Sequence, residues 1–395
     1  MRHNWNYKTI GDVCTSVTDG SHNPPKGIDK SDYRMISSQN IFDDNLILTD
    51  DSVRYLSKEN HIIEDKRTRL QKDVVLLTIV GTIGRACILT GNEGPLTLQR
   101  SVAALHPSEE ILPRFLLHTL IGNRTTLNQE AHGIAQKGLY LKQLSALRIP
   151  VPTIEEQQKI VSELDKINEL IRLKKEQLKD YDNLAQSIFY EMFGDPVVNE
   201  KGWDNSTIES VCSSIVRGPF GSALKKEFFV ESTNDTYKVY EQKHAIQKNH
   251  IIGSYYITKE KFQELRRFEV FPGDIIMSCS GTIGEFYQIP KEAEKGVMNQ
   301  ALLKFTLNEN RTTTEFFMFL MDFIKNSFET KGTGLQNIGS VKVIKSMILG
   351  LPPLPLQQLF AQRIELIEQQ KAEIKSTIAD LETLLASRMQ YWFDS

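Results

Sequence analysis

Two stretches of this chain carry apolar residues in alternating steps of four and three. The first passes through Ile160, Leu164, Ile167, Ile171, Lys174, Leu178, Tyr181, Ala185 and Ile188, and the second through Phe360, Ile364, Ile367, Lys371, Ile374, Ile378, Leu381, Leu385 and Arg388. This spacing is that of a coiled-coil seam and predicts two long helices that bury their stripes against each other. Each opens just after a proline cluster, Pro150 and Pro152 or Pro352, Pro353 and Pro355, because proline ends a strand and suits a helix start. Antiparallel pairing about residue 173 would set Lys174 opposite Lys371. Those two lysines would then either reach solvent and nearby glutamates or act as a register device.

Ahead of each helix the pattern shortens to β-rich runs. In the first copy these are YRMIS, DVVLLTIV, RACILT and SVAAL, followed by one helix over about Pro113 to Leu127. In the second they are YKVYEQ, DIIMSCS, EFYQI and ALLKFTL, with an aromatic helix over about Thr314 to Phe328. The two copies match at an offset near 200: GTIG at 81 to 84 recurs at 281 to 284, and Gln157 and Gln158 fall on Gln357 and Gln358. So long a period excludes a solenoid and gives each copy enough chain for its own core. The expected fold is mixed α/β, with two similar globular domains joined by two long helices in an antiparallel coiled coil. The boundaries are 1–152 for the first domain, 153–193 for the first helix, 194–352 for the second domain and 353–395 for the second helix.

Charge adds little: 47 basic and 50 acidic residues leave the chain near neutrality, so composition announces neither nucleic acid nor membrane. The acidic excess lies in the helices, with 6 basic against 9 acidic groups over 151–193 and 4 against 6 over 351–395, so a polyanion would meet the globular copies. Cys14, Cys87, Cys212 and Cys279 form no CxxC pair and predict buried thiols in a reducing cytoplasm. The start MRHNWNYK lacks a signal-peptide core, and the longest uncharged apolar run, Val74 to Val80, is too short for a bilayer.

Catalytic strings fail on inspection. NPPK at 23–26 resembles the Asn-Pro-Pro-aromatic signature of amino-methyltransferases but ends in lysine, with no aromatic face for a flipped base. Asp274 with Glu292 to Lys295 lacks metal-nuclease spacing, GxxxxGK[ST] is absent, and the GTIG pairs read as turns after buried strands. What remains are loops rich in side chains that pair with base edges, Arg and Lys with guanine, Asn and Gln with adenine. These are GSHNPPK, SSQN, LQR and GIAQKG in the first copy, and RGPFGSALKK, YEQKH, MNQ and KGTGLQN in the second.

With DGSHNPP, the GTIG pair, IPVPTIEEQQKIV, MFGDPVVNEKGW, RGPFGSALKK and LPPLPLQQLFAQRI, the whole chain resembles the specificity subunit of a type I restriction-modification system. The resemblance implies a non-enzymatic chain without cofactor of its own. It also implies two methyltransferase subunits that use S-adenosylmethionine on adenine, and leaves open whether an ATP- and magnesium-dependent restriction and translocation subunit joins them. Pro355 and Leu356 depart from the acidic pair Glu155 and Glu156, which puts a shared capping or charge contact at the two helix starts in doubt. The partner would be double-stranded DNA with two unlike half-sites around an unread spacer whose length the ~55 Å helices set.

Phosphate contacts would come from Lys26, Lys137, Lys225, Lys226 and Lys331. Base reading would come from His22, Asn23, Gln39, Asn40, Gln99, Arg100, Gln242, Lys243, Asn299 and Gln300, with Arg217 and Ser222 completing the second copy's contact set. The competing expectation is a two-headed scaffold whose heads bind proteins.

Overall fold

The computed structural model describes residues 5–131, 138–325, 328, 330, 331, 337, 338 and 340–393, with 330, 331, 337 and 338 described for backbone alone. The chain divides into two compact units, Met1–Glu176 with Lys375–Ser395, and Gln177–Ile374.

In the first unit a four-stranded antiparallel sheet runs in the order Cys14–Asp19, Val102–Pro107, Val75–Thr78, Ala86–Ile88. A three-stranded sheet orders Arg54–Tyr55, Arg34–Ile36 and Leu96–Leu98, the last two parallel. Val75, Leu76 and Leu77 are all buried, as a strand covered on both faces requires. Helix Pro113–Gly122 packs Phe115, Leu116 and Leu120 into a core shared with Ile160, Leu164 and Phe393 of the long helices. The helix expected over Pro113 to Leu127 is broken at Asn123, with a second helix at Arg124–Gln129. Asn123 Nδ2 donates back to the Thr119 carbonyl at 2.8 Å, a local bond that competes with continuing the helix.

The second unit repeats these elements. Its main sheet orders Cys212–Arg217, Leu302–Leu307, Ile275–Ser278 and Phe286–Gln288, and its second sheet pairs Tyr237–Tyr240 parallel with Gly296–Met298. The aromatic helix spans Thr314–Ile324, and residues 326 and 327, on the way to the expected end at Phe328, lie outside the described residues. One difference is chemical. Asp274 and Lys304 form a buried ion pair at 3.0 Å in the second unit, where the matching residues of the first, Val74 and Ala104, are apolar and buried.

The long helices are Ile154–Phe193 and Leu354–Phe393. In each unit a segment of one runs antiparallel to a segment of the other. In the first unit Arg388 Nη2 donates to Glu163 at 3.1 Å and Lys175 pairs with Glu382 at 2.8 Å. In the second, Lys371 pairs with Asp182 at 2.7 Å and Glu368 at 2.6 Å. Lys371 therefore sits between carboxylates, reaching Glu368 as the expectation of nearby glutamates has it, and Asp182 meets it where pairing about residue 173 would have supplied residue 363. Aromatic packing accounts for this register. Phe360 lies 5.6 Å from Phe189 and 5.2 Å from Phe193, ring centre to ring centre, and each such ring, fully buried, contributes ~1.5–3 kcal/mol.

Two matched glutamines lock helix to domain. Gln157 is fully buried; its Oε1 accepts from the Leu112 amide at 2.8 Å, and its Nε2 donates to the carbonyls of Glu110 and Pro152. Gln357, equally buried, accepts from Thr313 N and Thr312 Oγ1 and donates to the Arg311 and Pro352 carbonyls. The first helix also opens with a capping box between Thr153 and Glu156, for which Pro353 and Leu356 offer no equivalent. Gln357→Leu removes four hydrogen bonds at a buried or half-buried junction, two of them to fully buried groups, so urea unfolding should show a stability loss of about 3 kcal/mol. A loss under about 1 kcal/mol would remove this glutamine from the framework.

Candidate nucleic-acid interface

In each unit two loops leave neighbouring strand ends and converge on one turn. In the first unit, strand Cys14–Asp19 lies antiparallel to Val102–Pro107, so its end meets the turn at Gln99 to Ser101 that joins Leu96–Leu98 to Val102–Pro107. Strand Arg34–Ile36 runs parallel to Leu96–Leu98 and ends beside the same turn, where the Gln99 amide donates to the Ile36 carbonyl at 2.8 Å. Ser21 N donates to Leu98 O at 2.8 Å and Arg100 N to Ser21 O at 2.9 Å, closing the junction. The second unit repeats it: Gly218 N donates to Leu302 O at 2.9 Å and Asn299 N to Tyr240 O at 2.9 Å.

The crossing is too tight for any side chain but hydrogen. A Cβ on Gly20 would stand 2.2 Å from the Leu98 carbonyl, and one on Gly218 would stand 1.8 Å from the Asn299 oxygen. Glycine is thus required at both points by close backbone approach.

In the second unit the converging loops form an open cavity of about 1040 Å³ lined by Arg217, Ser222, Gln242, Lys243, Asn299 and Gln300. Six side chains proposed from sequence thus share one concavity. Their geometry differs in detail. Arg217 Nε donates to the Gln300 carbonyl at 2.9 Å, Lys243 pairs with Glu241 at 2.7 Å, and Asn299 Oδ1 accepts from Ala301 N at 2.9 Å. Lys225 and Lys226 are exposed further along the loop, Lys225 lying 3.7 Å from Glu227. Lys331 has its backbone in a short strand, and its side chain lies outside the described residues.

In the first unit His22, Asn23, Lys26 and Arg100 are exposed and Gln99 half-buried. His22 Nε2 is 2.7 Å from Asp19, and the Arg54 guanidinium holds the Pro25 carbonyl at 3.1 Å, fixing the proline turn. Gln39 is exposed but donates to the Ser52 carbonyl at 2.6 Å. Asn40 is a correction. It is fully buried, donating to Ile47 O at 3.0 Å and Ser52 Oγ at 2.9 Å and accepting from Ser37 N at 2.9 Å, so its amide is consumed in shaping its own loop. Lys137 lies outside the described residues.

Two arginines outside the loop strings also lie beside these turns. Arg67 bonds the Asp19 carboxylate while half its side chain remains exposed, and Arg267 lines the second unit's cavity. The signal was present as basic runs at matching places, Lys66-Arg67 and Arg266-Arg267.

His244, beside Gln242 and Lys243, is buried, with Nδ1 accepting from the Glu241 amide at 2.8 Å and Nε2 2.7 Å from the Ile252 carbonyl. Burial, opposed by the carbonyls of Glu241 and Ile252, holds its pKa below the ordinary histidine value. A depressed folded pKa means that the unfolded chain binds the proton first, so the stability from this residue is present above about pH 6.5 and declines as pH falls below it. Thermal unfolding of the wild type should therefore lose more between pH 7 and 5 than that of His244→Gln; equal losses would clear His244 of the effect.

Burial pushes the thiols of Cys14, Cys87, Cys212 and Cys279 up to about 12, which makes them poor nucleophiles. Asp274 is held by Lys304 and by Thr306 Oγ1 at 2.5 Å. Among the described residues no group of three or more His, Cys, Asp or Glu could hold a metal, and no helix is long and apolar enough to cross a membrane.

The family model for the type I restriction modification DNA specificity domain matches twice, over residues 2–180 and 200–383. The EcoBI type I restriction enzyme specificity subunit of Escherichia coli is 32% identical over 148 residues, covering 36% of this chain and 31% of that protein, so that match spans about a third of its length. The MjaIX specificity subunit of Methanocaldococcus jannaschii is 24% identical over 350 residues, 79% of this chain and 76% of that protein. In fold, the chain is similar to one in a structure of the complex assembly and conformational transition of the type I R-M system, at TM-score 0.61 and 16% identity, covering 98% and 97% of the two chains. It is also similar to the S subunit from M. genitalium, at TM-score 0.52 and 14% identity, covering 100% and 97%.

Proposed function

Since the chain belongs to the type I restriction-modification DNA specificity family, we propose that it reads a bipartite, asymmetric DNA target, one half-site per unit, and directs adenine methylation by partner subunits. The observation that carries this reading is the convergence, on equivalent turns of two unlike units, of loops bearing groups that pair with base edges. In the first unit the readers are His22, Asn23, Gln39, Gln99 and Arg100, and in the second Arg217, Ser222, Gln242, Lys243, Asn299 and Gln300. Lys26, Lys225 and Lys226 supply phosphate contacts, with Lys137 and Lys331 proposed from sequence alone. Arg67 and Arg267 join the cationic rim.

The chain performs no chemistry itself. Two methyltransferase subunits bring S-adenosylmethionine, and any ATP or magnesium belongs to a restriction subunit; the whole assembly works in the cytoplasm.

Filter binding of the chain with its methyltransferase against salt concentration tests this reading. Phosphate neutralisation gives a log affinity that falls linearly and steeply with log salt. A flat dependence would favour a scaffold whose heads bind proteins.

A further inference from the structure

Phe220 is the most exposed large apolar side chain among the described residues, 90% accessible. It stands on the rim of the second unit's cavity, between Gly218 and Gly221. A phenyl ring left in water forgoes the gain of burial, and local structure holds it there. Pro219 before it and Leu224 after it are buried, and the Ala223 amide donates to the Phe220 carbonyl at 2.9 Å. Gly218, seated against the Asn299 carbonyl, fixes where the loop leaves the sheet. The ring is presented, not frayed.

Its neighbours Arg217, Gln242, Lys243 and Gln300 carry donors and acceptors suited to the major-groove edges of bases. The apolar group those edges offer is the thymine 5-methyl. Resting on the DNA-reading function above, we propose that Phe220 is a specificity-determining residue that packs on the 5-methyl of a thymine in the half-site of its own unit. The first unit holds a polar residue at the matching loop position, His22, bonded to Asp19. An apolar reader is thus a property of one half-site, and it adds to the asymmetry of the target.

The test uses the full chain with its methyltransferase and duplexes carrying the methylated target, with each thymine of the half-site replaced in turn by deoxyuridine. Wild-type affinity should fall about four-fold at one position, the change expected for losing one methyl-sized contact of ~0.8 kcal/mol. Phe220→Ala should bind more weakly, keep the wild-type salt slope, and no longer distinguish thymine from deoxyuridine at that position. Equal deoxyuridine penalties in both proteins, or no sensitive position, would overturn the assignment. So would a loss in Phe220→Ala without any deoxyuridine effect, the signature of a wedge between base steps. Failure of the wild-type complex to bind the target in a salt-dependent way would instead defeat the DNA reading itself, so the two failures are distinguishable.

Discussion

Gly218→Ala should reduce methylation of target sites by about a hundred-fold while leaving the protein folded. The new Cβ would lie 1.8 Å from the Asn299 oxygen, so the loop bearing Phe220 and Ser222 must part from the turn bearing Gln300. A misplacement on the order of 1 Å can cost ~10²-fold in a reaction that depends on positioning. Gly221→Ala in the same loop is the control. Its Cβ would meet nothing closer than Gln300 at 3.9 Å, and methylation should stay near wild type. Comparable losses in both variants would mean that the loop accepts no added side chain anywhere, and that the backbone crossing is not what places the readers.

Lys304→Met should destabilise the protein by about 3 to 5 kcal/mol, because it leaves the Asp274 carboxylate buried beside a thioether. Both groups are almost fully buried, and Lys304 Nζ also donates to the Glu269 carbonyl at 2.6 Å. The first unit shows the remedy: Val74 and Ala104 occupy the matching positions without charge. A double variant, Asp274→Val with Lys304→Ala, should therefore recover most of the loss, since apolar replacement of a buried pair is often neutral. Denaturant midpoints of the wild type, Lys304→Met and the double variant decide the matter. A double variant as unstable as Lys304→Met would mean that the pair contributes more than mutual neutralisation.

Much of this was legible in the sequence because its signals were periodic or duplicated. The four-and-three spacing marked both long helices, and the offset of 200 marked two copies of one domain. Register was not legible. A seam pattern fixes which face is buried but not where the partner starts, and here Phe189, Phe193 and Phe360 settle it by contact between residues far apart in the chain. Loop chemistry was half legible. The string SSQN could not reveal that Gln39 faces outward while Asn40 turns inward to Ile47 and Ser52, because that depends on how the following hairpin folds back. Arg67 and Arg267 were not legible because their basic pairs lie outside the loop strings and reach the turns only through the fold. The duplicated Gln157 and Gln357 were visible as a match, but their buried bonds to Leu112 and Thr313 needed the fold.

The most direct test is the methylome of a host carrying this chain with its methyltransferase, compared with hosts carrying Arg100→Ala or Gln300→Ala. The wild type should modify a two-part motif with an unread gap. Arg100→Ala should relax one position in one part and Gln300→Ala one position in the other, each loss corresponding to about 1 to 3 kcal/mol of discrimination. A single uninterrupted motif, or two variants that relax the same part, would contradict one half-site per unit.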